Sequence, residues 1–194
     1  MQVGTRVAIY LMTILVFVGA LTAPANADTE KPPPGISAEA WRTRPHFPIF
    51  SAAAGPKVCF AGYVQDYGWQ AADCNDDGDW AEAGTVGQSR RLEAILIVAY
   101  NTGGRTCAQA HSKDIGWGAF VCEDDARQFA VGTTEQSRQM EAFKFGSTAQ
   151  TSCNEAHVQN TGWQGYACVI AGQYRTAGTV GQSLRLEAAR ATFL

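Results

Sequence analysis

The pattern of apolar and polar positions changes along the chain in three steps. Residues 7–21 form one apolar run, residues 28–57 mix prolines with isolated aromatic residues, and short alternating segments separated by Gly, Asp and Asn begin at residue 58. Alternation with a period of two is typical of half-buried β-strands. We therefore predict an all-β domain over 58–194, built from units of four strands, which in the first unit lie near 58–65, 69–75, 81–86 and 90–99.

The units are copies of one another. "GTVGQSRRLEA" at 84–94 returns as "GTVGQSLRLEA" at 178–188, and "GTTEQSRQMEA" at 132–142 is a diverged copy. Two cysteines, a Gly-Trp pair and this motif keep the same spacing in repeats that span 58–100, 106–145 and 152–194. One such unit cannot bury its apolar side alone, so three are expected to close around a pseudo-threefold axis. This arrangement predicts a β-prism-like fold, with a β-trefoil as the alternative.

The six cysteines fall into three equally spaced pairs, one in each repeat. Pairing within the repeats is the simple scheme that recurs with the sequence, and a tight turn within "QDYG", "KDIG" or "QNTG" places each pair face to face across a hairpin. Zinc, the alternative, prefers shorter spacings and four-ligand clusters. We therefore predict three disulfides: Cys59–Cys74, Cys107–Cys122 and Cys153–Cys168.

The hairpin register sorts the other side chains onto two faces. It places the three tryptophans beside small residues, and for Trp69, Trp117 and Trp163 we favour core packing over ligand stacking. The opposite face combines rings with hydrogen-bonding groups, which suits sugars, although solvated sheets show the same combination. Its candidate ligand-binding residues are Tyr63, Gln70, His157, Gln164 and Tyr166. Because repeat two has Gly118 in place of the glutamine, two sugar sites are expected.

One acidic residue occupies the same position in every repeat: Glu93, Glu141 and Glu187. Apolar neighbours on both sides of the strand predict that it is half-buried, and we expect N–H groups of its own Gly-Thr-x-x-Gln-Ser turn to bind the carboxylate. We assign it a structural role, because no second carboxylate recurs beside it for acid–base catalysis. With no other catalytic constellation in view, we predict a non-enzymatic protein that needs no cofactor.

The segment "DCNDDGD" at 73–79 arranges its acids in the order of a calcium-binding loop. Its twelfth position is Gly84 instead of Glu, and repeats two and three lack the acids. The three histidines, His46, His111 and His157, are too scattered for a metal triad. We therefore predict no metal site.

The first 27 residues predict a secretory signal peptide, with Arg6, an apolar run and the sequence Ala25-Asn26-Ala27 before the cleavage point. The run is shorter than the roughly 20 residues that span a bilayer, so no membrane insertion of the mature chain is expected. Residues 28–57 are predicted to form a proline-rich linker or arm. Acidic residues outnumber basic ones, which disfavours nucleic acid and anionic lipid as partners.

Several of these motifs together resemble a known family. Gly-Trp-Gln at 68–70 and 162–164, the phrases "AGTVGQS" and "RLEA", and "AHVQNTGWQ" at 156–164 are similar to the clostridial hydrophobic repeats with a conserved tryptophan, the ChW repeats. The middle copy departs from the motif at Gly118, Glu135 and Gln139. The resemblance implies a secreted or cell-surface protein that binds polysaccharide or other cells, and it implies no catalytic residues.

Two functions follow as expectations. The first is a secreted, non-catalytic binding module for polysaccharide on a cell wall or in the surroundings. The alternative is a secreted or cell-surface factor for protein–protein interaction or adhesion. Both place the mature chain outside the cell.

Overall fold

The computed structural model describes residues 30–51, 54–75 and 79–194, so the predicted signal peptide lies outside the described residues. The fold is almost entirely β, as predicted. Among the described residues, α1 (Ala38–Arg42) is the only helix, and the Ser37 hydroxyl begins it by accepting the Ala40 N–H at 3.0 Å. No described helix has the length and apolar character needed to cross a membrane.

Each repeat contributes five strands, because the returning strand of its hairpin is divided in two. The first repeat contains β1 (Lys57–Val64), β2 (Gly68–Trp69), β3 (Asp73–Cys74), β4 (Ala81–Gly84) and β5 (Leu92–Tyr100). The second contains β6 (Arg105–Ser112), β7 (Gly116–Trp117), β8 (Val121–Asp124), β9 (Phe129–Gly132) and β10 (Met140–Ser147). The third contains β11 (Ser152–Val158), β12 (Gly162–Trp163), β13 (Ala167–Val169), β14 (Arg175–Gly178) and β15 (Leu186–Phe193).

The repeats exchange strands. Sheet 1 combines β1, β2, β3 and β5 with β9 of the second repeat; sheet 2 combines β6, β7, β8 and β10 with β14 of the third. Sheet 3 combines β11, β12, β13 and β15 with β4 of the first repeat, and this pairing of an early strand with the last one closes the ring. The described residues thus form three separate sheets and no closed barrel, which is the prism-like arrangement and not the trefoil.

The duplicated phrase of the sequence lies at the seams between repeats. Gly132 ends β9 with a φ of 104°, and a Cβ there would lie 2.4 Å from the carbonyl oxygen of Glu93 in the facing strand, so only glycine fits. The next residue, Thr133, donates its N–H to that same carbonyl at 2.9 Å. Equivalent bonds join Thr85 to Glu187 and Thr179 to Glu141. In each repeat, the threonine N–H of the Gly-Thr pair therefore binds the carbonyl of the recurring glutamate in the repeat before it around the ring.

The inner faces of the three sheets share one apolar core. Phe60 of β1 lies 5.7 Å, ring centre to ring centre, from both Phe143 and Phe145 of β10, in edge-to-face geometry. Phe145 in turn stacks on Phe193 of β15. Because each sheet supplies rings to the same cluster, no repeat owns a core of its own.

The three predicted disulfides are confirmed. Cys59–Cys74, Cys107–Cys122 and Cys153–Cys168 join directly paired positions of β1 and β3, β6 and β8, and β11 and β13. The Cα atoms of the three pairs lie 3.9, 4.1 and 4.0 Å apart. Each bridge thus fixes its own hairpin and crosses no seam.

The predicted hairpin register is wrong beyond the disulfide. Three loop residues separate Val64 from its partner Gly68, and one additional residue in the returning strand puts Trp69 opposite Tyr63 instead of Val64. Such a bulge turns every following side chain to the other face. Trp69, Trp117 and Trp163 therefore lie on the outer faces of the sheets and not in the common core, with Trp117 37% exposed.

Candidate functional site

The outer faces of the three sheets carry different residues at equivalent positions. Four positions surround the tryptophan of each sheet: one on the first hairpin strand, one on the long strand, one on the exchanged strand and one immediately before it. Sheet 1 has Ala61, Leu96, Gln128 and Ala130; sheet 2 has Gln109, Lys144, Tyr174 and Thr176; sheet 3 has Glu155, Arg190, Trp80 and Glu82. The apolar, polar and charged sets predict three different uses of one scaffold.

The outer face of sheet 1 is covered by the N-terminal arm. Trp41 and Phe47 pack on Leu96 and Ala130 in a second apolar cluster, and the Trp69 indole N–H donates to the Ala40 carbonyl at 2.7 Å. Trp41 is only 4% exposed. This face is consequently closed to a large ligand.

The outer face of sheet 3 is open and combines aromatic rings with charges. The Arg190 guanidinium lies between two indoles, 4.8 Å from the ring centre of Trp80 and 4.3 Å from that of Trp163. It also donates two hydrogen bonds to one carboxylate oxygen of Glu155, at 2.6 and 3.0 Å. Tyr166, which is 61% exposed, meets the edge of Trp80 at 5.4 Å. Arg190 thus stabilises both tryptophans through cation–π contacts. The pair of Trp80 and Tyr166 lies at the surface beside it.

A polar groove runs beside the exposed pair. It has a volume of about 580 Å³, lies between the first hairpin and β4, and is lined by Asp73, Asp79, Trp80, Glu82 and Arg190 among others. Burial raises the pKa of Glu82 above its usual value, and the nearby Arg190 only partly offsets this. The groove therefore offers carboxylates, acceptors for hydroxyl groups, next to an aromatic wall.

Sheet 2 repeats this arrangement in weaker form. Lys144 lies 4.7 Å from the ring centre of Trp117 and donates to the Gln109 side chain at 3.1 Å. Phe120, which is 44% exposed, meets Tyr174 at 4.9 Å, as Tyr166 meets Trp80 on sheet 3. A cation bound to a neutral amide thus replaces the ion pair, while an aromatic pair with one exposed ring is kept.

The recurring glutamate is buried, but its partners differ from those predicted. In repeat three, Glu187 accepts a hydrogen bond from Arg185 at 2.8 Å and lies 3.4 Å from His157 Nδ1; in repeat two, Glu141 accepts from Gln139 at 3.2 Å. The threonine N–H of the Gly-Thr motif binds the glutamate backbone carbonyl of the neighbouring repeat instead of the carboxylate of its own. The expected bond from the turn to its own carboxylate is therefore wrong.

The first repeat has a tyrosine where the other two have histidine. The Glu93 carboxylate accepts from Arg91 at 2.6 Å, and burial raises its pKa in spite of that bond. Burial also raises the pKa of Tyr63, and the carboxylates of Glu135 and Glu93 raise it further. In each repeat this residue meets the edge of the tryptophan, with ring centres 5.2 to 5.4 Å apart. Tyr63 and His157 thus belong to a packed cluster.

The two candidate glutamines are engaged within the protein. The Gln70 amide binds both the N–H and the carbonyl of Gly84, at 2.7 and 2.8 Å, and Gln164 accepts from the Gly178 N–H at 3.1 Å. Of the five predicted ligand-binding residues, Tyr166 is the one that lies in the exposed aromatic pair. Gln70 contributes only to the wall of the groove.

Trp80, Arg190 and Glu155 are not among the site residues predicted from the sequence. They belong to the first and third repeats and meet only because β4 joins sheet 3. A signal for them exists in the alignment of the repeats, where positions 80, 128 and 174 hold Trp, Gln and Tyr. This difference points to a site only once it is known that β4, β9 and β14 each join the sheet of another repeat.

The calcium-like segment is only partly described, since Asp77 and Gly78 lie outside the described residues. Asp73 accepts the Glu82 N–H at 2.7 Å, and the Asn75 side chain accepts the Val58 N–H at 2.5 Å. Both oxygen atoms thus have hydrogen-bonding roles in the fold.

Comparison with known proteins identifies the repeat. The family model described as Clostridial hydrophobic W (ChW) matches residues 63–99 and 157–190, in the first and third repeats. No curated protein and no solved structure matches the chain. Neither matched region includes the middle repeat, which departs from the motif at Gly118, Glu135 and Gln139. The first and third repeats of the chain are thus Clostridial hydrophobic W repeats, as the resemblance predicted.

Proposed function

We propose that the protein is a secreted, non-catalytic binding module that recognises polysaccharide through the outer face of sheet 3, with sheet 2 as a second site. The observation that carries the proposal is the pair formed by half-buried Trp80 and exposed Tyr166 beside a groove lined with carboxylates. Aromatic rings offer an apolar surface to the C–H face of a sugar, and the carboxylates accept hydrogen bonds from its hydroxyl groups.

The charges of the site favour a neutral polymer. The groove presents Asp73, Asp79 and Glu82, while the Arg190 guanidinium is already engaged by Glu155. The whole chain has a net charge of −3. These carboxylates would repel an acidic polysaccharide, so we infer that the ligand is a neutral glycan.

Two sites on one molecule suit a polymer. Sheets 2 and 3 each carry an aromatic pair with one exposed ring, and simultaneous contact with one polysaccharide chain or one insoluble surface raises the effective affinity. Secretion agrees with the three disulfides, which persist in oxidising compartments.

The test is retention on insoluble neutral polysaccharides, with a panel of glycans to find the best one. Trp80→Ala is expected to reduce retention at least tenfold, and adding Phe120→Ala is expected to abolish it, a loss of the size seen when an aromatic anchor is removed. Gln128→Ala, at the same position of sheet 1, is the matched control and leaves retention unchanged. If the wild type retains no glycan, or if Trp80→Ala binds like Gln128→Ala, the proposal is wrong.

A protein partner is the second candidate. Ile170 and Val180 are 64% and 50% exposed, and apolar side chains at the surface suit protein contacts. If glycans fail in the retention assay while Ile170→Asp abolishes adhesion of the purified protein to cells, this candidate is favoured.

A further inference from the structure

The second repeat has a cavity where the other two have a glutamine side chain. In the first repeat the Gln70 amide crosses from the hairpin to β4, accepts from the Gly84 N–H and donates to the Gly84 carbonyl. In the third, the Gln164 amide oxygen accepts from the Gly178 N–H. The second repeat has Gly118 at this position, and a cavity of about 170 Å³ lies between the hairpin and Gly132.

The β-ladder directs the N–H of Gly132 into this cavity. Thr133 donates to the Glu93 carbonyl at 2.9 Å, while Gly132 is paired with Ala94. Hydrogen-bonded and non-hydrogen-bonded pairs alternate in an antiparallel ladder, so the N–H and C=O of Gly132 point away from β5. The equivalent groups of Gly84 bind the Gln70 amide, which shows what chemistry this position accepts.

The walls suit a small neutral group. Ala110, Val121 and Val131 supply apolar surface, and no charged side chain occurs among the described residues that line the cavity. A buried charge without a partner is disfavoured, so a carboxylate is a poor occupant. Cavities of about 150 Å³ hold molecules the size of benzene. The volume of the cavity thus fits a short hydrocarbon chain that ends in one polar group.

A methyl group at position 110 leaves room for such a head. Gly62 of the first repeat would clash with the Gln70 amide if it carried a Cβ, and the second and third repeats have Ala110 and Ala156 at this position. In the third repeat the Gln164 amide still reaches Gly178 beside Ala156. We expect the geometry of the third repeat, with an amide oxygen bound to the glycine N–H.

We propose that this cavity is a binding site for a primary carboxamide, carried by free glutamine or by a glutaminyl side chain of a peptide. The amide oxygen accepts from the Gly132 N–H, and the carbon stem packs on Val121 and Val131. The arm residues Pro34 and Gly35 line one side of the cavity. None of the four rings of the two aromatic pairs lines the cavity, and the proposal does not depend on the proposed polysaccharide binding.

The test uses propionamide, the side chain of glutamine without its backbone, on the mature chain. Wild type is expected to bind one molecule, with a melting temperature about 3 °C higher at a probe concentration ten times the dissociation constant. Propionate, which has the same shape but a charge, is expected not to bind. Free glutamine and a blocked Ala-Gln-Ala peptide then identify which source of the carboxamide enters.

Gly118→Gln provides the decisive variant. Gly118 is not among the positive-φ glycines, and an added Cβ would meet only the Ala110 carbonyl at 3.6 Å, so glutamine fits. The variant is expected to melt higher than wild type and to lose the propionamide response. Gln70→Gly opens the equivalent space and is expected to raise the stoichiometry from one to two.

The proposal is overturned if wild type does not bind propionamide, if propionate binds equally well, or if Gly118→Gln keeps the response. Should Gly118→Gln fail to fold, the stoichiometry of Gln70→Gly decides. A value of two supports the proposal, and a value of one contradicts it. Polysaccharide retention measured on Gly118→Gln separates this site from the proposed function, because Gly118 does not line the groove of sheet 3.

Discussion

The outer faces of sheet 1 and sheet 3 occupy equivalent positions of the pseudo-threefold fold, yet one is buried and the other is open. Sheet 1 has Ala61 and Leu96 where sheet 3 has Glu155 and Arg190. Small apolar residues make the first face a surface that the arm covers through Trp41. On sheet 3, Arg190 of the ion pair lies between the rings of Trp80 and Trp163 and holds them on the outer face.

In this repeat protein, one set of positions maintains the fold and another set forms the outer surfaces. The seam motif keeps the backbone of all three sheets the same, because its threonine N–H groups bind, and its glycines pack against, the main chain of the repeat before it around the ring. The positions on the outer faces are then free to differ. One face anchors the chain's own arm, and the other two keep exposed aromatic pairs.

The largest loss of stability is expected at the Gly-Thr seams, which sheets 1 and 3 have in common. Gly132→Ala, at the seam of sheet 1, and Gly84→Ala, at the seam of sheet 3, place a methyl group 2.4 and 2.2 Å from a carbonyl oxygen at positive φ. Each is expected to lower the free energy of unfolding by about 4 kcal/mol or more. Gly87→Ala, at positive φ in open space, is the control and is expected to cost about 1 kcal/mol. Denaturant titration measures all three, and a mild effect at either seam contradicts the shared framework.

Removing the arm's anchor is expected to affect only the closed face. Trp41→Ala leaves a cavity over Leu96 and is expected to lower the free energy of unfolding by about 3 kcal/mol while leaving retention on polysaccharide unchanged. Trp80→Ala, at a half-buried position of the open face, is expected to lower the free energy of unfolding by about 1 kcal/mol, less than Trp41→Ala, and to lose retention. Thermal melts and retention on the same samples check this. Equal destabilisation by the two substitutions would remove the distinction between the faces.

The ion pair of sheet 3 can be exchanged for the apolar pair of sheet 1. Arg190→Leu leaves the buried Glu155 carboxylate with the Gly165 N–H at 2.7 Å but without its cation, and is expected to lower the free energy of unfolding by about 3 kcal/mol. Adding Glu155→Ala reproduces Ala61 and Leu96 and is expected to recover most of that loss. A double-mutant cycle by denaturant titration measures the coupling. A double variant as unstable as Arg190→Leu would show that the charge is not the cause.

The smallest effect concerns the pH dependence of the open face. Burial raises the pKa of Glu82 in the folded state, so its ionised form disfavours folding above the folded pKa, and this penalty disappears below the unfolded value. Glu82→Gln is therefore expected to melt slightly higher than wild type at neutral pH and equally below about pH 4. Melting curves across this range check the sign. A variant that is less stable at neutral pH would mean that the ionised carboxylate favours the folded state.

Much of the scaffold was predictable because the repeats supply their own alignment. Equal cysteine spacing predicted the three bridges, and the apolar run after the recurring glutamate of the first repeat predicted the long strand β5, which is buried on both faces. The hairpin register failed at one residue, because a three-residue loop and a bulge beyond Trp69 replace the two-residue turn that "QDYG" suggested. Bulges have weak sequence signals, since they depend on the packing of both strands.

The candidate site was less predictable because it joins distant parts of the chain. Tyr166 was identified from its own hairpin, but its partner Trp80 reaches it only through the exchanged strand β4. Gln70 and Gln164 were assigned to a ligand, yet their amides bind main-chain groups of Gly84 and Gly178. Side-chain chemistry alone does not distinguish an internal partner from an external one.

The exchange of β4 into sheet 3 also sets an order for biogenesis. During synthesis, Gly84 emerges more than half the length of the chain before its partner Ala188. Strands β9 and β14 find their partners in the repeat made just before them, but β4 must wait until the C-terminal strand has emerged. Until then its edge is unpaired and open to association with other chains. Disulfides within each hairpin can form earlier, which leaves closure by the last strand as the step that a truncated chain never completes.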